Sequence, residues 1–272
     1  MAEMGLGGGH YNYLSYGDFQ LEPEGRKMVF PAGVITGLNP ADIEVARIDP
    51  EKITESVKHS WYKEEPPLHP YSGEQVFDLD KTNAYSFVKA PRYDGTPMEV
   101  GPLARMIVAK NPDVLGLVKK GAKPGAVARH AARAIETKLV VDACYTWLDQ
   151  LLSEMTKPGF RIQDTEHWDP PESGMGAGFS EPPRGALGHW IKVKDKKIEN
   201  YQAVVPSTWN ASPRDDRGIR GQYEESLIGT PVSDPKNPNN IVRVIRSFDP
   251  CLACAVHIID PNTNEIRKFI IE

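Results

Sequence analysis

The stretch Asp249-Pro250-Cys251-Leu252-Ala253-Cys254-Ala255-Val256-His257 most constrains what this chain can fold into. Two thiols stand three positions apart and an imidazole follows three further on, a spacing at which one turn brings the donors to the same side. The 272 residues contain three cysteines, and two of them are here. A closed tetrahedral zinc site takes four protein ligands, and no second Cys-x-x-Cys pair exists to complete one. The fold must therefore carry a distant residue, or another polypeptide, to this end of the chain.

An acid flanks the pair. Asp249 disfavours a thiolate unless a metal cation compensates it, so the pair suits metal chemistry better than a dithiol switch. On these residues alone a functionless surface Cys-x-x-Cys and a Cys/His structural zinc module stay open, and His257 by itself reads as a satisfied structural histidine. The formal net charge of −5 leaves no basic footprint, which argues against nucleic acid as a partner. No apolar run approaches the roughly 18 residues of a membrane span. Met1-Ala2-Glu3-Met4-Gly5 lacks the charged and then apolar regions of a signal peptide, so any export address is expected elsewhere. Three cysteines in this length argue against a disulfide scaffold. The 24 prolines and 23 glycines point to long ordered loops over a scaffold, not a simple bundle or barrel.

Gly5-Leu6-Gly7-Gly8-Gly9 has no Gly-Lys-Ser/Thr ending and is not a phosphate loop. An opening this abrupt is expected of the second half of something larger. Lys27 to Phe30, Val34 to Thr36 and Ile43 to Ile48 read as short strands, and Pro50 to Lys58 as a helix start. Residues 60–100, rich in proline and aromatics, read as structured loop. Gly101 to Val118 is amphipathic, with Leu103, Met106, Ile107, Val114 and Leu117 available to one face. Pro124 suits the first turn of a long helix to about Met155, with Ala128, Ala131, Ala132, Ile135, Leu139, Ala143, Trp147, Leu148 and Leu151 at helical spacing. Cys144 lies near that face and is expected to be a buried, inert thiol. Trp190 to Val193 and Tyr201 to Val205 read as a hairpin around Lys194-Asp195-Lys196-Lys197. Gly221 to Leu227 reads as a short helix, and Pro238 to Phe248 as a final one that delivers Asp249 and Cys251.

Other candidate residues are individually ambiguous. Arg184, between Pro183 and Gly185 and after the run Gly174-Met175-Gly176-Ala177-Gly178, either projects into a cavity to donate to a polar or anionic ligand or closes a surface turn. His189 fits a base or a strand start. Val205-Pro206-Ser207-Thr208-Trp209-Asn210 bunches hydroxyls and an amide after a strand, which turn chemistry alone also explains.

Their order resolves the ambiguity. Lys89-Ala90-Pro91-Arg92-Tyr93, Glu99-Val100-Gly101-Pro102-Leu103-Ala104-Arg105, Arg129-His130-Ala131-Ala132-Arg133, Pro183-Arg184-Gly185-Ala186-Leu187-Gly188-His189-Trp190, Val205 to Asn210 and the Cys251/Cys254/His257 motif follow one another along the chain. In that sequence they closely resemble the large subunit of nickel–iron hydrogenases, nearest the membrane-associated uptake type.

The resemblance covers nearly the whole chain from about Gly5. It implies an α+β, predominantly helical fold, with core helices and with hairpins and long loops around the site. Residues 1–257 would be the C-terminal portion of a large-subunit domain, and 258–272 a maturation peptide removed once nickel is loaded. The family places four cysteines around a nickel–iron centre, two of them from an Arg-x-Cys-Gly-x-Cys segment that this sequence does not contain. Cys251 resembles the terminal nickel ligand and Cys254 the thiolate bridging nickel to iron. His257, with the backbone carbonyl near Ala203, resembles a magnesium site. Arg184 resembles the arginine over the open coordination position, and Asp249 the acid facing it. Pro183, Val205, Pro206 and Ser207 match positions around the iron's cyanide and carbonyl ligands. The implied reaction is heterolytic oxidation of H2, with electrons passed to an iron–sulfur small subunit. The other half of the large subunit, a maturation chaperone and an endoprotease are the remaining implied partners. Implied location is membrane-associated on the periplasmic side after export with the small subunit, and cytoplasmic for the precursor. A catalytically inactive fragment or scaffold of the same fold is the alternative.

Overall fold

The structure, a computed structural model, describes residues 6–22, 25, 27–119, 124–163, 169–234, 236–251, 255–259 and 266–270. Four short strands come first: β1 (Tyr13–Ser15), β2 (Asp18–Gln20), β3 (Met28–Phe30) and β4 (Gly33–Ile35). β1 pairs antiparallel with β4, and β2 with β3. The segments expected from β-propensity thus pair, except that Ile43 to Ile48 contributes only a bridge between Ala46 and Val34. The helix expected from Pro50 stops after one 3-10 turn, Pro50–Lys52. The β-branched Ile53 and Thr54 then open β5 (Ile53–Ser56), which pairs with β6 (Ala90–Tyr93). Between them, residues 57–89 hold together through isolated bridges and loop hydrogen bonds, as their proline and aromatic content suggested.

The amphipathic run from Gly101 is two helices, α1 (Pro102–Val108) and α2 (Pro112–Lys119), not one. Lys110 takes φ +51°, its N–H bonds Ile107 O, and Asn111 N–H bonds Met106 O, the pattern that seals a helix C-terminus. Asn111 Oδ1 then accepts from Asp113 N and Val114 N, and Pro112 starts the next helix. Every residue of α1 is buried. Leu103, Met106, Ile107 and Val108 share a core with Tyr13, Phe30, Ile35 and Val114, and with Ala128 and Ala132 of α3 (Ala126–Met155).

α3 runs 30 residues and ends where its periodicity ends. Its first half is buried by those small residues. On its second half Ala143 is buried, but Val141, Tyr145, Leu148, Leu151, Leu152 and Met155 are all at least half exposed. Cys144 is exposed as well, contrary to expectation: Phe19, Gln20 and Leu21 cover this half only at Trp147 and Gln150, and leave the face that carries the thiol open.

The glycine run is β7 (Ser173–Ser180), the edge of a three-stranded antiparallel sheet with β8 (Leu187–Lys194) and β9 (Lys197–Val204). Asp195 and Lys196 both take positive φ in the two-residue β8–β9 turn, whose twist matches that of the flanking strands. Trp190, Val204, Ala186 and Trp209 join Leu14, Ile53, Tyr93 and Met98 in a second core. α4 (Pro206–Asn210), α5 (Gln222–Leu227) and α6 (Asn239–Ser247) follow, and β10 (Ala255–Ile259) pairs with β11 (Ile266–Ile270). The fold is mixed α+β, as expected. Helix dominates less than expected: one long helix and five short ones stand beside eleven short strands among the described residues.

Candidate metal centre

Three loops converge on Cys251. One is Glu181 to Gly185, between β7 and β8. Gly185 has φ +129°, and a Cβ there would lie 2.4 Å from Gly101 N; a Cβ on Gly101, at φ +118°, would lie 2.9 Å from Arg184 O. The two main chains therefore touch where only glycine fits. Below them the Arg105 guanidinium, wholly buried, donates to Pro182 O and Pro183 O, each at 2.9 Å. It also pairs with Glu136 on α3 (2.6 and 2.8 Å) and with Glu181 (3.0 Å).

The second loop leaves β9 through Val204 and Val205. Pro206, with its fixed φ and no N–H to satisfy, opens α4. The buried Asn210 amide donates to Val100 O (2.9 Å) and accepts from Val100 N (3.1 Å), so α4 is fastened to the segment leading into Gly101. Ser207 Oγ is left to accept from Cys251 N at 3.2 Å.

The third loop follows α6. Val244 and Phe248 pack with Leu6. The buried Arg129 guanidinium lies 3.5 Å from the centroid of the Phe248 ring, forks onto Glu99 at 2.7 and 2.8 Å, and reaches Gly7 O and Ser247 Oγ. Arg133 donates to Ser247 O (3.0 Å), a cation set at the carbonyl end of α6. Past this anchor Asp249 takes φ +56°, a left-handed conformation that aspartate tolerates better than most residues. The chain thereby turns into Pro250 and Cys251.

Arg184 closes the arrangement. Its Nε donates to Asp249 O at 2.9 Å, and an Nη reaches Asp249 Oδ1 at 3.4 Å, with both side chains about 39 % exposed. The structure thus brings Arg184, Asp249, Ser207 and Cys251 together, with Pro183 and Pro206 on the supporting loops. Val205 caps α4 and is part-exposed. Ala203 lies in β9 opposite His189, whose Nδ1 meets Tyr201 Oη at 2.7 Å, so His189 belongs to the sheet surface. Cys254 and the side chain of His257 lie outside the described residues.

Arg105, Glu136, Glu181, Arg129, Glu99, Arg133 and Asn210 are the supports that sequence reading did not single out as site residues. Arg129, Arg133 and Glu136 occupy one face of α3, a spacing visible in the sequence; their partners, on other elements, are not. Burial pushes the Glu181 carboxyl up to about 7, against the pull of Arg105. One guanidinium serving two buried carboxylates cannot fully compensate both, and Glu136 takes the two-point contact. Chemically, the site offers a free, exposed thiol on a turn bonded to Arg184 and Ser207, which set a cation and a hydroxyl beside it. Among the described residues no cluster of three or more His, Cys, Asp or Glu forms a metal site by itself. The donor set therefore fits a soft-metal centre as one contributor to it.

The model of the family described as nickel-dependent hydrogenase matches residues 1–257. The uptake hydrogenase large subunit of Azotobacter chroococcum is 38% identical over 305 aligned positions, covering 95% of this chain and 50% of that protein. The periplasmic [NiFeSe] hydrogenase large subunit of Desulfomicrobium baculatum is 40% identical, covering 94% and 51%. The solved Ni-Fe-Se hydrogenase from D. vulgaris Hildenborough, in its as-isolated oxidized state, superposes with a TM-score of 0.79 at 41% identity, over 91% of this chain and 53% of that one. The chain spans about half the length of the curated relatives it matches.

Proposed function

From a chain that belongs to the nickel-dependent hydrogenase family, as the C-terminal portion of its uptake-type large subunits, we propose a contribution of two thiolates to a nickel–iron centre that oxidises H2. One observation carries this reading: Arg184 is bonded across to Asp249 beside the turn that presents the free Cys251 thiol.

Cys251 and Cys254 would hold nickel, and Cys254 would hold iron as well. His257 and the Ala203 carbonyl would hold magnesium. Pro183, Val205, Pro206 and Ser207 would line the cyanide and carbonyl ligands on iron. When bound, the centre supplies a Lewis acid for H2 and takes up its two electrons. The Arg184 guanidinium, held by Asp249, sets a fixed positive charge over the reacting molecule, in a place where it need not reorganise during reaction. The Cys254 Sγ receives one of the two protons released as H2 gives up its electrons. Those electrons leave through an iron–sulfur small subunit, and the remaining thiolates come from the other half of the large subunit. Cys251 and Cys254 alone would not complete the centre.

Residues 258–272 would be the peptide removed after nickel loading by an endoprotease, following delivery by a maturation chaperone. The family match ends at His257. β10 runs through that point with His257 opposite Lys268, so cleavage there would take away its pairing strand. A membrane-associated, periplasmic location after export with the small subunit accords with the relative named as periplasmic; the precursor would be cytoplasmic. No helix among the described residues is long and apolar enough to cross a membrane.

The test is co-expression with the other large-subunit half, the small subunit and the maturation proteins, followed by metal analysis and H2-dependent dye reduction. Nickel and activity are expected, and both should vanish in C251A. Absence of nickel under full maturation conditions, or a C251A protein indistinguishable from the parent, would favour an inactive scaffold.

A further inference from the structure

Arg105 is 0% exposed and uses all five of its N–H donors: Nε and one Nη hydrogen on Glu136, one on Glu181, and one each on Pro182 O and Pro183 O. Such a saturated fork has a single low-energy placement, because moving it would strand buried donors or carboxylates. The two carbonyls it holds are those immediately before Arg184. From the other side the same segment rests on Gly101 with no room for a Cβ. The main chain at Arg184 is thus fixed from both faces, and its side chain leaves in one direction, toward Asp249 O.

We propose that Arg105 is a positioning residue for hydrogen oxidation: by gripping the Pro182 and Pro183 carbonyls it aims the Arg184 guanidinium over the cysteine turn. This rests on the hydrogenase reading of Arg184. Arg105 is not itself at the site. It acts through a peptide segment, with Glu136 of α3 as its fixed anchor and Glu181 closing the cluster beneath Tyr16 N, which donates to Glu181 Oε1 at 2.6 Å.

R105K tests it in the assembled, metal-loaded enzyme. Lysine keeps the charge but concentrates its donors on one nitrogen and cannot serve two carboxylates and two carbonyls together. Turnover is expected to fall about 10- to 100-fold with nickel per chain unchanged, the loss that follows when a reacting group is displaced by about 1 Å. A crystal structure should show the Arg184 Nε–Asp249 O bond broken. In an R184K background the same change should cost nothing further. Equal losses in both backgrounds would overturn the proposal, since Arg105 would then act by another route. Undiminished turnover in R184K alone would remove the underlying reading of Arg184 and the proposal with it. Should R105K fail to accumulate, E136Q loosens the same guanidinium from the rim of the cluster. A several-fold fall in turnover at parental nickel content is expected there, and parental turnover with the Arg184–Asp249 contact intact overturns the idea.

Discussion

Arg184 and Asp249, 65 positions apart, are joined twice: through the aspartate's main-chain carbonyl at 2.9 Å and its carboxylate at 3.4 Å. The shorter contact needs no charge on residue 249, only the left-handed turn that aims its carbonyl at the guanidinium. Conformation and charge at this position are therefore separable. D249N should keep the turn and most of the stability, whereas D249V, a β-branched residue at φ +56°, should lose about 1–3 kcal/mol in urea unfolding. Equal stability of the two variants would show that the turn is not held in that conformation.

The Arg129–Glu99 pair sits 2% exposed on both sides and supports the main chain leading to Cys251. Its net contribution when intact is small, but removing one member leaves a buried charge alone. E99A is expected to cost about 3–5 kcal/mol, and the double change E99L/R129M markedly less than the sum of the singles. Denaturant midpoints of the three variants give the answer; simple additivity would contradict the pairing.

Glu181 gives the stability of the chain a pH dependence. Its carboxyl titrates near 7 when folded and near 4.5 when unfolded, so between those values the folded state holds the proton more tightly. The associated stabilisation is full below about pH 4.5 and is lost as pH rises through 7. E181Q, which cannot ionise, should gain stability relative to the parent as pH rises across that window, read as a growing difference in urea midpoint. A difference that stayed flat from pH 5 to 8 would mean that Glu181 is charged throughout.

The exposed apolar stripe on the second half of α3 predicts how the chain assembles. Leu148 and Leu152 are 53% and 54% exposed, so L148E/L152E should leave unfolding midpoints nearly unchanged. The same change should block association with the other large-subunit half. A variant that still assembles would show that the stripe is not the contact.

Much of this was legible in the sequence, for reasons that differ by element. α3 could be read to its last residue because small and apolar positions recur for its whole length and Pro124-Gly125 marks its start. The β8–β9 hairpin was legible from alternation around a short polar turn. The break between α1 and α2 was not, because it rests on Lys110 adopting a left-handed conformation, which residue type does not announce. Cys144 was misjudged because periodicity shows that a face exists and not what covers it. At the site, Arg184, Ser207, Asp249 and Cys251 were named from motif order, and the structure brings them together. Arg105, Glu136, Arg129 and Glu99 went unassigned because buried ion pairs join positions 30 or more residues apart, and charge alone looks the same buried or solvated.

Arg129, Arg133 and Glu136 make α3 the common reference for both sides of the site. The Arg184 loop is registered to it through Arg105, and the cysteine turn through Ser247 and Phe248. A rocking or axial slip of that rod carries guanidinium and thiol along together, so their separation is insulated from the helix's own thermal excursions. Only motions that shear one loop against the other can detune the gap, and those must break a buried arginine fork.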